Sequence, residues 1–156
     1  MRRAPLAAAL VLATLGAAPA TVVKPLSLAE QAKKAEVIVQ AKVSAVYTQQ
    51  LGGVLWNIYT LDVRRTLVGN VRELSQQDGQ PALYVLYGVD DAPVFRTGDE
   101  AVLLLYRTQA ERGPYDSPVV GFNQGVYRIR NGQIVGGQPS APDDFWKSLL
   151  TLRGNK

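Results

Sequence analysis

The chain contains neither cysteine nor histidine among its 156 residues. Without cysteine the fold receives no disulfide. Without histidine it lacks the usual general base and the commonest metal ligand. Ser-His-Asp and Cys-His catalysis are therefore excluded, and a zinc site made only of protein ligands is disfavoured. We expect a protein that folds and works with no cofactor and no bound metal.

A large excess of charge of one sign is also missing. The chain has 17 basic and 13 acidic residues. Two of the basic residues, Arg2 and Arg3, lie in the segment that we predict is removed, which leaves 15 against 13. A balance this close to neutral argues against nucleic acid or an anionic membrane as the main partner.

The beginning of the sequence has the pattern of a secretory leader. Two arginines follow the first methionine, residues 6–18 are apolar or small, and an Ala-Pro-Ala tripeptide ends at Ala20. This order predicts a signal peptide over residues 1–20 and an exported chain that begins at Thr21. The alternative, a transmembrane anchor, needs roughly 20 apolar residues, and this run is shorter. We therefore expect a secreted or periplasmic protein that is not inserted in the membrane after the leader is removed.

The remaining residues, 21–156, read as a single domain in which period-two segments dominate. Ser27 and Glu30 form a capping box for a first helix that reaches about Ala35. Alternation of apolar and polar residues predicts strands, and Gly52-Gly53 marks a hairpin with a loop of about eight residues. The predicted strands cover residues 37–47, 56–67, 82–87, 101–106, 126–130 and 133–135, with a short strand near residues 119–122 and exposed loops at 73–80, 88–98 and 111–118. A last helix is predicted over residues 142–153.

These elements indicate a mainly β fold, a single antiparallel, partly open β-barrel with a short N-terminal helix and a C-terminal helix. The strand at residues 101–106 is apolar on both faces and is expected to be central. The shared phase of the strands predicts one core made of Val37, Val39, Val43, Tyr59, Leu61, Val63, Leu103, Leu105 and Ile129. Phe145, Trp146 and Leu149 are expected to cover one end of the barrel, with a stripe for a partner as the alternative.

Several short motifs, in this order, resemble a known family. They are the helix at Ser27–Glu30 that leads into a long strand, Leu67-Val68-Gly69 after the second strand, the segment at residues 93–99 (Pro-Val-Phe-Arg-Thr-Gly-Asp), and the segment at residues 121–125 (Gly-Phe-Asn-Gln-Gly). The pattern resembles secreted prokaryotic domains of unassigned function over residues 26–135. Their barrel is similar to the oligosaccharide/oligonucleotide-binding (OB) barrel of netrin-like and metalloproteinase-inhibitor domains. The resemblance implies an OB-like barrel and a binding or regulatory module, and it brings no catalytic residues. The inhibitors chelate zinc through an N-terminal cysteine, whereas this exported chain is predicted to begin with Thr21.

Arginine and aromatic residues supply the candidate ligand-binding surface. An OB-like barrel binds ligands by combining positive charge with aromatic stacking. The alternative is an ordinary solvent face with tyrosines at half-buried positions. The candidate residues are Trp56, Arg64, Tyr84, Tyr106, Arg128 and Arg130.

Other kinds of site have weaker support. Asp90, Asp91, Asp99 and Glu100 carry the oxygen ligands that calcium prefers, but their spacing matches no calcium loop, and solvated turn residues are the simpler interpretation. A Ser-Lys hydrolase needs a lysine that burial has made basic. A glycosidase needs two acids in a deep cleft. Neither arrangement is indicated.

The sequence thus predicts an exported, non-enzymatic binding or regulatory module that acts as a monomer. The expected partner is an envelope or extracellular protein or a glycan, and not nucleic acid. The first alternative is an exported protease inhibitor or regulator with a netrin-like barrel, and a small hydrolase comes after it.

Overall fold

The computed structural model of the protein describes residues 23–108 and 118–154. The predicted leader over residues 1–20 and the predicted new terminus at Thr21 lie outside the described residues, as does most of the loop predicted at 111–118. Within the described part of the chain, no helix is both long enough and apolar enough to cross a membrane.

The fold is mainly β, as predicted, with one antiparallel sheet that does not close and a helix near each end. In the described residues, seven strands follow the order β3-β4-β2-β1-β5-β6-β7, which is consistent with a partly open barrel. The elements in chain order are α1 (Leu28–Lys34), β1 (Val37–Leu51), β2 (Val54–Val68), the 3-10 turn η1 (Val71–Glu73), β3 (Ser75–Gln77), β4 (Gln80–Leu86), β5 (Glu100–Leu105), β6 (Val126–Arg130), β7 (Gln133–Ile134) and α2 (Pro142–Arg153).

Helix α1 begins at the predicted capping box. The Ser27 hydroxyl accepts a hydrogen bond from the Glu30 amide at 3.3 Å, and a Glu30 carboxylate oxygen accepts one from the Ser27 amide at 2.7 Å. Two of the free amides at the helix start are thereby satisfied. The helix ends where the sequence indicates, with Ala35 as its C-cap.

The hairpin between β1 and β2 is longer than predicted, and the prediction of a loop of about eight residues was wrong. The strands are paired up to Leu51 and Val54, and Gly52 and Gly53 alone make the turn. Both glycines have positive φ, 56° and 81°, which is the conformation that a two-residue hairpin turn requires. Because glycine adopts it without steric cost, the strands can continue to the turn itself.

The inner face of the sheet carries the predicted barrel core. Seven of the predicted core residues are buried in one cluster, namely Val37, Val39, Val43, Tyr59, Leu61, Leu103 and Leu105. Val63 is partly buried and packs against this cluster. Ile129 was assigned to the wrong face. The register of β5 and β6 places Arg128 opposite Ala101 and Val126 opposite Leu103, so these two residues face the core side of the sheet. Ile129 packs on the outer side instead.

Helix α2 covers the outer face of the sheet and not an end of the barrel. Phe145, Trp146 and Leu149 are buried against outer-face residues of β1 and β5, among them Ile38 and Leu104. Strand β5 is therefore covered on both sides, as its continuous apolar sequence predicted. The stripe on α2 belongs to the core.

Two loop assignments also need correction. Residues 73–80 are not one exposed loop, because η1 and β3 lie there and β3 pairs with β4. The segment near residues 119–122 forms no strand, only a single bridge between Val119 and Leu105 followed by turns. Strand β3 and the segment near residues 119–122 are each too short for the alternation of apolar and polar residues to be recognised in the sequence.

Candidate functional site

Two of the six predicted site residues, Trp56 and Tyr84, lie side by side on neighbouring strands. Their rings meet edge to face with centroids 6.4 Å apart. Trp56 is 5% exposed and packs in a small cluster with Ile58 and Ala82. The Tyr84 hydroxyl donates to the side chain of Gln77 at 2.8 Å, and partial burial raises the pKa of that hydroxyl. These contacts give the pair a packing role on the outer face of β2 and β4.

Three other predicted residues lie elsewhere. Arg64 is the extra residue of a β-bulge in β2 and forms an exposed ion pair of 2.8 Å with Asp62. Tyr106 packs with the outer layer under α2. Arg130 is exposed at the end of β6, next to the hairpin turn. The six residues therefore do not form the one stacking surface that the sequence predicted.

Arg128, the sixth, anchors a loop to the inner face of the sheet. Its guanidinium donates to the Asp99 carboxylate at 2.9 Å and to the backbone carbonyl of Val94. It also lies over the Phe95 ring, 5.1 Å from the centroid. Asp99 accepts a further hydrogen bond from the Arg96 amide. Arg128 thus holds the 93–99 loop against the inner face of the sheet.

A cleft of about 330 Å³ lies beside this anchor. Arg128 and Asn123 are the polar residues among those that line it, and the Asn123 side-chain amide donates to the Asp91 carbonyl at 2.7 Å. Two exposed apolar side chains, Val94 at 64% and Val135 at 50%, contribute to its lining. The described residues that line the cleft are Ala92, Pro93, Val94, Asn123, Val126, Arg128 and Val135. The cleft therefore combines hydrogen-bond donors with apolar contact area.

The acidic residues considered for calcium do not converge. The Asp99 carboxylate is bonded to Arg128, and Glu100 accepts from the Gln40 side chain at 2.7 Å. Asp90 and Asp91 lie in an exposed turn. In residues 23–108 and 118–154, no three side chains of the metal-ligating types form a group that could hold an ion.

The groups with shifted pKa values are structural. Burial raises the pKa of Tyr59 in the core and of Tyr127 in the outer layer, where the Tyr127 hydroxyl donates to Gln31 at 2.8 Å. A hydrogen bond from the Ser27 amide holds the pKa of Glu30 below its usual value. None of these groups lines the cleft, and so they supply it with no acid or base.

Sequence reasoning missed a second surface, the β1–β2 hairpin. The 19 residues from Val43 to Leu61 include no charged side chain, although 30 of the 156 residues are charged. We call residues 44–57, the part of this hairpin toward its turn, the arm. Val46, Tyr47, Leu51 and Leu55 on the arm are each between 37% and 43% exposed. The uncharged run was visible in the sequence, but only the structure shows that it projects beyond the pairing with β5.

No protein-family model matches the chain, and no curated protein matches it.

Proposed function

We propose that this protein is an exported, non-enzymatic binding module whose ligand enters the cleft beside Arg128. Export is supported by the leader pattern in residues 1–20. Binding is supported by the cleft itself, where Val94 and Val135 remain exposed next to two hydrogen-bonding side chains. An apolar cleft with a few convergent polar groups is the common form of a ligand site.

The chemistry of the lining favours a short peptide segment over a sugar. A sugar site that combines positive charge with aromatic stacking, as the sequence predicted, needs an exposed aromatic ring. None of the described residues that line the cleft is aromatic. The Phe95 ring lies beneath Arg128. Val94 and Val135 fit one apolar side chain, while Arg128 and Asn123 can donate to a backbone carbonyl or a carboxylate. An envelope or extracellular protein with an accessible chain segment is the partner class that this lining fits.

The lining also supports binding rather than catalysis. Arginine keeps its proton at all ordinary pH values, and asparagine does not titrate. Neither side chain serves as a nucleophile, and no described residue of the lining carries a carboxylate. The open sheet is compatible with the OB-like resemblance, which belongs to this proposal together with the alternative of an exported protease inhibitor or regulator.

The proposal is tested by titrating the isotopically labelled protein with two sets of probes. One set consists of capped tripeptides with Val, Leu or Phe at the centre, and the other of short neutral oligosaccharides. We expect the peptides to shift the backbone amide signals of Val94, Asn123 and Val135. The variant Val94→Glu should weaken this binding at least about tenfold, which corresponds to about 1.4 kcal/mol.

Leu150→Glu is the matched control, because Leu150 is 45% exposed on α2 and lies outside the cleft lining. This control should bind peptides as the wild type does. Binding of oligosaccharides alone would contradict the peptide assignment. If the protein inhibits proteases and Val94→Glu leaves that inhibition unchanged, the inhibitor alternative would be favoured. The cleft would then have no part in the function.

A further inference from the structure

One side of the arm is a strand edge with nothing paired to it in the described residues. Strand β1 pairs with β5 from Val37 to Lys42, and the last bonds join Val43 to Gly98 and Asp99. Beyond Val43, residues 44–51 are paired with β2 on one side only. The other side presents backbone groups that no strand of residues 23–108 or 118–154 satisfies.

The turn fixes which backbone groups point outward. In a hairpin with a two-residue turn, the residues that flank the turn, here Leu51 and Val54, exchange hydrogen bonds with each other. Hydrogen-bonded and non-bonded positions alternate along an antiparallel strand. Val46, Thr48 and Gln50 therefore direct their N–H and C=O groups away from β2.

This edge differs from the two ends of the sheet. The end strands are β3, with three residues, and β7, with two. Very short end strands limit unwanted pairing, and charged residues or proline protect longer edges. Residues 44–51 have neither a charge nor a proline, and residues 46–51 are all exposed. The fold thus limits its terminal edges and leaves the longer edge on the arm available.

We propose that the edge of residues 44–51 pairs with the same edge of a second copy of this chain. The two strands run antiparallel, and a two-fold axis passes between the two Thr48 residues. Val46 of each copy then pairs with Gln50 of the other. The Thr48 pair on the axis and the two Val46–Gln50 pairs each exchange two backbone hydrogen bonds, about six in all. On the outer face, Tyr47 lies opposite Gln49 and Ala45 opposite Leu51.

The absence of charge is what favours a second copy over an unrelated strand. In a symmetric antiparallel pair, a charged residue near the axis meets the same charge on its partner, which is destabilising. An unrelated partner strand imposes no such restriction, since opposite charges would strengthen that pairing. A strand with no charge from Val43 to Leu51 satisfies the condition that self-pairing sets.

A lipid bilayer fits the same surface less well. The tip is apolar at Leu51 and Leu55, but Thr48, Gln50 and Asn57 lie among these residues. The outward N–H and C=O groups at positions 46, 48 and 50 would also enter hydrocarbon without partners, at several kcal/mol each. A paired strand satisfies these groups, whereas lipid does not.

Association should be weak, because one added strand pair falls at the low end of the areas that protein interfaces bury. We expect sedimentation of the purified protein to show a monomer–dimer equilibrium with a dissociation constant of roughly 10–100 μM. Amide exchange at high concentration should slow at Val46, Thr48 and Gln50. At Ala45, Tyr47 and Gln49, which already bond to β2, it should change little.

Charge substitutions at the axis give the sharpest test. Thr48→Lys alone and Thr48→Glu alone should each weaken dimerisation at least about tenfold. An equimolar mixture of the two should associate within about threefold of the wild type, since opposite charges then face each other. Leu55→Lys is the control. Leu55 is 40% exposed but lies on β2, so this variant should dimerise as the wild type does.

Three results would overturn the proposal. The first is a protein that stays monomeric up to about 1 mM. The second is an equal effect of Leu55→Lys and Thr48→Lys, which would indicate apolar contact at the tip. The third is sedimentation with neutral phosphatidylcholine vesicles that Leu55→Lys abolishes, which would assign the arm to a membrane. Each leaves the cleft proposal intact, because the cleft and the arm share no residue.

Discussion

Replacing Arg128 by methionine tests whether this residue anchors the 93–99 loop. The guanidinium joins β6 to three parts of the loop, the Asp99 carboxylate, the Val94 carbonyl and the Phe95 ring. Methionine has a similar length and keeps apolar contact with the ring. It removes the charge and both hydrogen bonds. The variant therefore isolates the polar part of the anchor.

The expected loss follows from how exposed these contacts are. The side chains of Arg128 and Asp99 are 31% and 35% exposed, so solvent screens their ion pair. We assign about 0.5–1 kcal/mol to this pair. The bond to the Val94 carbonyl adds about 0.5–1 kcal/mol. Because methionine retains part of the contact with Phe95, the loss of the cation–π contact adds at most about 0.5 kcal/mol. Arg128→Met should therefore lower the free energy of unfolding by about 1–2.5 kcal/mol.

Urea unfolding at neutral pH measures this difference, and Arg130→Met is the matched control. Arg130 lies two residues further along the same strand, and it is exposed. Its substitution should change stability by less than about 0.5 kcal/mol. Amide signals of residues 94–99 should move in the Arg128 variant and stay in place in the control.

Equal effects of the two substitutions would refute the anchor. So would a loss below about 0.5 kcal/mol for Arg128→Met. A double-mutant cycle with Asp99→Asn adds an independent check, because residues in direct contact show a coupling energy of about 0.5 kcal/mol or more. No coupling would mean that Arg128 and Asp99 do not interact in solution.

Two further predictions concern the core and the first helix. Leu103 is 1% exposed in the centre of β5. Leu103→Ala should lower the free energy of unfolding, measured in urea, by roughly 2–5 kcal/mol. A loss below about 1 kcal/mol would mean that the inner face of the sheet is assigned wrongly. The hydrogen bond from the Ser27 amide is the main cause that lowers the pKa of Glu30 in the folded protein below its ordinary value of 4.5. The ionised side chain therefore stabilises the fold above about pH 4.5, and this contribution is lost as the pH falls through the lowered pKa of the folded state. The stability difference between wild type and Glu30→Gln should thus shrink from pH 7 to pH 3, and a constant difference would contradict the cap.

Features fixed by neighbouring residues could be predicted from the sequence. Ser27 and Glu30 are three residues apart and form the expected capping box. Asn131 and Gly132 have φ values of 50° and 73° in the expected tight turn between β6 and β7. In both places the hydrogen bond or the dihedral angle depends on residues within one turn of chain. Tertiary packing does not need to be known.

The facing of β6 could not be predicted in this way. Alternation shows that Tyr127 and Ile129 share one face and that Arg128 and Arg130 share the other. It does not show which face is inside, and the usual assumption places the apolar residues there. In this fold α2 makes the outer face apolar as well. The arginine face could then turn toward the barrel, because Asp99 and the Val94 carbonyl provide partners for Arg128.

The cleft and the arm depend on relations between distant segments, which explains why neither could be located from the sequence. The cleft forms where the turn that holds Asn123 meets Val94, and the bond from Asn123 to Asp91 spans 32 residues. Within residues 23–108 and 118–154, the arm has a free edge because β5 begins at Glu100, opposite Lys42, and no strand pairs with that side of residues 44–51. An uncharged run of residues does not by itself indicate a binding surface, because the sequence does not show whether another strand pairs with its edge. Had β5 continued along residues 44–51, the same run would have been buried in the sheet and would have required no partner.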